Sequence, residues 1–205
     1  ADIGAFEAGN FSVLTVRTTT DRLNSTLNAD ELSLREALTL ADSLAGVETV
    51  VFDASLFNAG PVTIDVTYDG PDAGAVPDAL TLYRGTTLKG PRADRLTIEG
   101  TGQNRVFNVS GGASRGAVVI EGVTIANGGG VSHGGGIHAS DVDLTVRGSR
   151  IVGNSATSTG GGIYSDSVLR IIDSEISDNV AASCGGGVSI FQTKDGNIVE
   201  ILNST

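Results

Sequence analysis

A repeat constrains this chain more than any other feature. The segments GVTIANGGGVSHGGGIHAS, DLTVRGSRIVGNSATSTGGGIYS and VLRIIDSEISDNVAASCGGGVSI superpose on their Gly triplets. The third glycines are Gly136, Gly162 and Gly187, so the steps are 26 and 25 residues, and Ile125, Ile151 and Ile176 recur with the same steps. A further copy opens at Val199, after an insertion around Thr193–Asn197, and the sequence stops inside it. A period of this size marks a solenoid, in which each unit buries its apolar face only against its neighbours.

Within each copy the apolar period is two. Leu144 and Val146 alternate with Thr145 and Arg147, then Ser149 and Ile151 alternate with Arg150. That is the pattern of half-buried strands, and no helical stripe intervenes, which excludes repeats built on helices. Three short strands and three corners in about 25 residues make one rung of a right-handed parallel β-helix, with rungs about 4.8 Å apart. Equivalent residues should then stack. The inward columns predicted are Ile120–Val146–Ile171–Ile201, Leu144–Leu169–Val199, Ile125–Ile151–Ile176 and Ile137–Ile163–Val188. Asn154 and Asn179 share a corner, where Asn tolerates positive φ and its amide can bond along the stack. Outside, Arg150 meets Glu175 and Arg170 meets Glu200, opposite charges that support the register.

Composition agrees. Gly accounts for 29 of 205 residues, aromatics for 4%, and Met and Trp are absent, so small branched side chains must fill a thin core. A net charge of −11 disfavours nucleic acid and anionic membranes as partners. No apolar run approaches the roughly 20 residues of a membrane helix. The chain shows no secretory signal and does not begin with Met, so the expectation is a processed product or excised fragment. The lone Cys184 can form no internal disulfide.

The first part reads differently. Ser33 and Glu36 form a capping box, and Leu34, Ala37, Leu38, Ala41 and Leu44 follow a helical stripe, predicting a helix over about 34–45 with Gly46 as its C′ residue. Strands are predicted at Ser12–Thr18 and Thr49–Phe52, and a loop over Asp69–Asp78. A solenoid must cover its terminal rung, so the helix is read as an N-terminal cap rather than as a carrier of catalytic Arg35 and Glu36. The expected organisation is 1–10 as the tail of a preceding unit, 11–78 as the cap segment, and 79–205 as rungs truncated at the C-terminus.

Leu32-Ser-Leu-Arg-Glu-Ala37 resembles the signature of the CSLREA-type domain of bacterial parallel β-helix surface proteins. The resemblance continues through Gly90-Pro-Arg-Ala-Asp-Arg-Leu-Thr-Ile98, Asn104-Arg-Val-Phe-Asn-Val-Ser110 and the GGGI(H/Y) rungs, covering nearly the whole chain. The opening Ala-Asp-Ile-Gly-Ala-Phe-Glu7 is similar to the segment that closes such a unit, which implies a seam between tandem units. The family usually carries Cys where Leu32 stands, with a second Cys near Leu27; here an apolar contact replaces that disulfide. The resemblance implies large bacterial secreted or cell-surface proteins, adhesin-like and mostly without a demonstrated reaction. It also implies the architecture shared with pectate-lyase-like β-helices.

A lyase of this architecture needs a carboxylate cluster holding Ca²⁺ and a nearby Arg or Lys base. Asp141 and Asp143 lie close together, but no basic column accompanies them, so a solvated loop is preferred to a metal site. Asp65, Asp69 and Asp72 are left open as a group that could meet around an ion. His138 falls in an outward column with Tyr164 and Ser189; ordinary surface stacking is preferred to a sugar contact. His133 is read as a solvated loop residue. The Gly triplets, with Gly136, Gly162 and Gly187, lack the GK[ST] ending of a phosphate loop and the nine-residue step of a Ca²⁺ roll, so they are read as corner residues. Cys184 has no His partner in sequence and is read as packed or idle.

The expectation is thus a non-catalytic structural or adhesive module, requiring no cofactor and joined to tandem units or to identical chains end to end. The alternative is a polysaccharide lyase or hydrolase, whose mark would be three or more acidic and basic residues converging on one face; the sequence alone shows no such convergence. A third reading is Ca²⁺-dependent adhesion.

Overall fold

The computed structural model describes residues 13–24, 28–44, 48–67, 79–111, 116–191 and 198–205. The chain is a parallel β-solenoid with a single α-helix among these residues. Strand β1 (Val13–Val16) comes first, followed by helix α1 (Leu34–Ser43). Three coils then follow: β2 (Glu48–Phe52), β3 (Val62–Asp65) and β4 (Leu80–Tyr83); β5 (Thr86–Lys89), β6 (Leu96–Glu99) and β7 (Phe107–Ser110); β8 (Ala117–Glu121), β9 (Thr124–Ala126) and β10 (Ile137–Ser140). The next coil has β11 (Asp143–Arg147), β12 (Arg150–Val152), a short β13 (Ser155–Ala156) and β14 (Ile163–Ser165). The last has β15 (Leu169–Ile172), β16 (Glu175–Ser177), β17 (Val180–Ala181) and β18 (Val188–Ile190), before β19 (Val199–Leu202).

These strands stack into three main sheets. The first runs β1-β2-β5-β8-β11-β15-β19, the second β3-β6-β9-β12-β16, and the third β4-β7-β10-β14-β18. All four inward columns read from the sequence occur in this register: Ile120–Val146–Ile171–Ile201, Leu144–Leu169–Val199, Ile125–Ile151–Ile176 and Ile137–Ile163–Val188. Arg150 bonds Glu175 at 2.8 Å and Arg170 bonds Glu200 at 2.8 Å, each across neighbouring coils. The solenoid also begins earlier than the visible repeat, because β1, β2 and β3 pair into the same sheets. The flanking strands of the cap segment are therefore solenoid strands as well. Residues 1–12, Leu27, Gly46, the stretch Asp69–Asp78 expected as a loop, with Asp72, and the insertion expected around Thr193–Asn197 lie outside the described residues.

Corner chemistry explains why the repeat is so strict. The Asn154 and Asn179 side chains bond along the stack: Asn154 Oδ1 accepts from the Gly128 amide at 2.9 Å, and Asn179 Oδ1 from the Asn154 amide at 3.0 Å. Their Nδ2 groups donate to Ile125 and Ile151 carbonyls. The positive-φ residues sit one place earlier, at Asn127, Gly153 and Asp178, which corrects the expectation that the two asparagines themselves adopt that conformation. A second ladder, of serines, runs along the stack. Ser149, Ser174 and Ser204 hydroxyls each donate to a carbonyl of their own coil and accept the amide of Val123, Ser149 and Ser174 respectively. Ser149 is therefore a corner hydrogen-bonder, although its alternation with Arg150 suggested a strand residue.

The Gly triplets divide two demands. The first members, Gly134, Gly160 and Gly185, take φ of 62°, 65° and 62°, where a side chain is disfavoured. The second and third members of the first two triplets leave no room for a side chain: a Cβ at Gly161 would lie 2.2 Å from the Val180 carbonyl oxygen, and one at Gly162 would lie 2.6 Å from the Gly187 carbonyl oxygen.

At the N-terminal end α1 packs against β1, β2 and β4, spanning the edges of two sheets. The Ser33 hydroxyl accepts the Glu36 amide and Glu36 accepts the Ser33 amide, as the capping box requires. Leu32, Leu34, Ala37, Leu38, Leu40 and Ala41 are buried there. Leu32 belongs to the same apolar core. The helix closes at Ser43 with Leu44 as its cap, just short of the expected 34–45. Arg35 is spent in this packing, forming a two-pronged pair with Asp21 at 2.7 Å, with side chains only 5% and 3% exposed. At the opposite end Val199, Ile201 and Leu202 are exposed.

Candidate functional site

The third sheet collects the ring-bearing residues. Its outward column runs Thr81–Asn108–His138–Tyr164–Ser189 across β4, β7, β10, β14 and β18. Parallel pairing with period-two alternation puts these side chains on one face, one coil apart, at about 4.8 Å. His138 and Tyr164 stack, with centroids 5.1 Å apart and planes 13° from parallel. His133 approaches the same Tyr164 ring at 5.0 Å, tilted by 33°.

Loops supply the rest. His133 is bridged to Thr159, and Thr159 to Cys184, in a short parallel column beside the sheet. Its Nδ1 lies 2.8 Å from the Thr159 hydroxyl. It is therefore anchored rather than a freely solvated loop residue. Arg105 donates from Nη2 to the His133 carbonyl at 2.7 Å and from Nε to the Gly134 carbonyl at 3.2 Å. Asp166 lies two residues beyond Tyr164 and accepts the Asp141 amide at 2.9 Å. Cys184 is exposed, not packed.

This surrounding sets the charge states. Burial pushes the His138 imidazole below its ordinary value, Arg105 adds to that shift, Asp166 opposes it and His133 adds again. His138 is consequently neutral at pH 7, and its Nδ1 is buried without a hydrogen-bond partner. Burial, then Asp166, raises the Tyr164 phenol, so it remains a protonated donor. Burial also lowers Arg105, which remains a cation at neutral pH. The face thus presents two neutral stacked rings beside a guanidinium. Such a face can stack on an apolar ring surface while offering hydrogen bonds and a charge partner to polar substituents.

Asp141 has a left-handed backbone at φ 51° and is exposed, and Asp143 opens β11 opposite Ala117. Among the described residues no group of three or more His, Cys, Asp and Glu side chains is placed to hold a metal ion. Asp65 closes β3 opposite Glu99. No helix among the described residues is long and apolar enough to cross a membrane. No family model, curated protein or solved structure matches this chain.

Three of the cluster's members escaped sequence reasoning. His133 carried a usable signal, since steps of 26 and 25 lead from it to Thr159 and Cys184. Arg105 carried none, because no equivalent residue repeats it, and the 25-residue step from Asp141 to Asp166 did not by itself place Asp166 beside the rings.

Proposed function

We propose that this chain is a structural and adhesive module of a large secreted or cell-surface protein of the CSLREA type, binding an extended glycan along the third sheet. The observation that carries this reading is the outward column Thr81–Asn108–His138–Tyr164–Ser189. Its repeat of about 4.8 Å per coil is close to the rise of one sugar unit in an extended chain. A linear glycan laid across the strands would meet one side chain per coil. The rest of the described exterior supports a scaffold, since Lys89–Glu121, Arg150–Glu175 and Arg170–Glu200 pair across coils. A parallel strand laid beside β19 would cover Ile201 and continue the first sheet, which is how tandem units or identical chains would join end to end. Export to the bacterial surface belongs to the same proposal.

One observation favours the alternative of a polysaccharide lyase or hydrolase. Arg105, His133, His138, Tyr164 and Asp166 converge on one face, the feature that the sequence alone did not reveal. Calorimetric titration with neutral and uronate oligosaccharides, with parallel assay of chain cleavage, separates the readings. Binding lost in Tyr164→Ala without cleavage is the expected result. Cleavage abolished by His138→Ala would replace the adhesive reading with the enzymatic one, and absence of both binding and cleavage would remove the glycan from it.

A further inference from the structure

The cleft where α1 meets the first coil holds an unsatisfied acid. Glu48 opens β2 and is 5% exposed, and its Oε2 is buried with no hydrogen-bond partner. A buried carboxylate in that state is strongly disfavoured unless an ion, a proton or water answers it. A cavity of about 130 Å³ lies against it, with Asp42, Glu48, Tyr83, Arg84 and Thr86 in its lining.

The local field selects a cation. Two carboxylates face the cleft, and Ala41, Asp42 and Leu44 bring the C-terminal end of α1, with its partial negative charge, to the same wall. Arg84 does not neutralise Glu48: it is exposed, its stem lies against Gly116, and its guanidinium is directed at the Gly111 carbonyl at 3.5 Å. The polar side chains lining the cleft beside Glu48 offer oxygen: the Asp42 carboxylate and the Tyr83 and Thr86 hydroxyls. Oxygen donors in irregular array suit Ca²⁺, which accepts six to eight of them flexibly, better than Mg²⁺, which demands a tight octahedron.

We propose that this cleft is a Ca²⁺ site that neutralises Glu48 and ties the capping helix to the solenoid. It goes beyond the adhesive reading and does not depend on it. With only two carboxylates, its affinity belongs to the weak class, about 10⁻⁴–10⁻³ M, found in extracellular modules.

Terbium luminescence tests it, because Tb³⁺ replaces Ca²⁺ at oxygen sites and Tyr83 is positioned to sensitise it. The expected result is a signal displaced by roughly millimolar Ca²⁺ and weakened about tenfold in affinity by Glu48→Gln. Tyr83→Phe should dim the signal and, by removing one of the offered oxygens, weaken Ca²⁺ binding by less than Glu48→Gln does. In chelator, Glu48→Gln should unfold at or above the wild-type temperature, since it removes a buried charge; in Ca²⁺ that order should reverse. Should Glu48→Gln fail to fold, Asp42→Asn, at an exposed position, takes its place and should weaken binding several-fold. Wild-type-like Ca²⁺ binding in the Glu48 or Asp42 variant would overturn the proposal, as would loss of the response in an Asp141→Asn, Asp143→Asn double variant.

Discussion

The coils before Gly111 and those after Gly116 share three sheets and one register, yet only the later coils show a repeating sequence. In the later coils each corner reuses one device. Gly122, Gly148, Asp173 and Asn203 all turn with positive φ, and Ser149, Ser174 and Ser204 bond from coil to coil beside them. In the earlier coils the corners differ. A 3-10 turn at Ala54–Phe57 joins β2 to β3, and Asn104 stitches the turn after β6 by donating to the Val66 carbonyl at 3.1 Å. Apolar alternation is enough to build the strands in both regions. The strict repeat reports a hydrogen-bonded corner, which tolerates few substitutions.

That contrast can be broken most forcefully at the cap. Arg35→Ala would leave Asp21 buried and unpaired, and is expected to cost about 3–5 kcal/mol in chemical unfolding. A loss under 1 kcal/mol would mean that the helix end is not held as the structure shows. Next comes Gly161→Ala, where the Val180 and Gly186 carbonyls leave no room for a methyl group. About 3 kcal/mol is expected there. Gly153→Ala, with open space around it, should lose only about 1 kcal/mol, from its positive φ of 67°. Equal losses would refute the close-approach account of the triplets.

The Asn ladder gives the third contrast. Asn154 is 1% exposed and serves the Gly128 amide, so Asn154→Ala should cost about 2 kcal/mol by stranding a buried donor. Asn179 sits one coil further along and is half-buried, so its replacement should cost less. Among the outward pairs, Arg150→Ala should lose no more than about 1 kcal/mol, and less still in high salt.

A pH titration sharpens the comparison between corner and face. The folded-state pKa of His138 lies below its unfolded value, through burial, Arg105 and His133, against the opposing Asp166. Its contribution is therefore complete above the unfolded value, about 6.5, and is lost as pH falls toward the folded one. Stability should decline across that window in wild type, and His138→Asn should flatten the decline while leaving the Asn and Ser ladders intact.

Legibility in the sequence follows the same division. The columns through Ile125, Val146 and Ile163 were readable because alternation and spacing agreed. Membership of β2 and β3 in the solenoid was hidden, since their connections vary in length and no repeat survives there. The Ser149 ladder was masked by the period-two pattern itself, which cannot separate a strand residue from a corner residue. At the candidate site, His138 and Tyr164 were found by register. Arg105 and Asp166 were not, because they reach the face from outside the strand columns. The orphan acid of Glu48 was invisible for a similar reason: its burial depends on where the helix docks.

The central claim is that one solenoid, continuous from the capped end through the repeating coils, underlies both regions. Hydrogen exchange read by mass spectrometry on the native chain tests it most directly. Slow exchange of comparable protection in β2, β5, β8 and β11, collapsing together as denaturant rises, is the result expected of a single stacked core. Release of β2 through β7 as a separate unit, at a denaturant concentration where β8 through β15 remain protected, would contradict it.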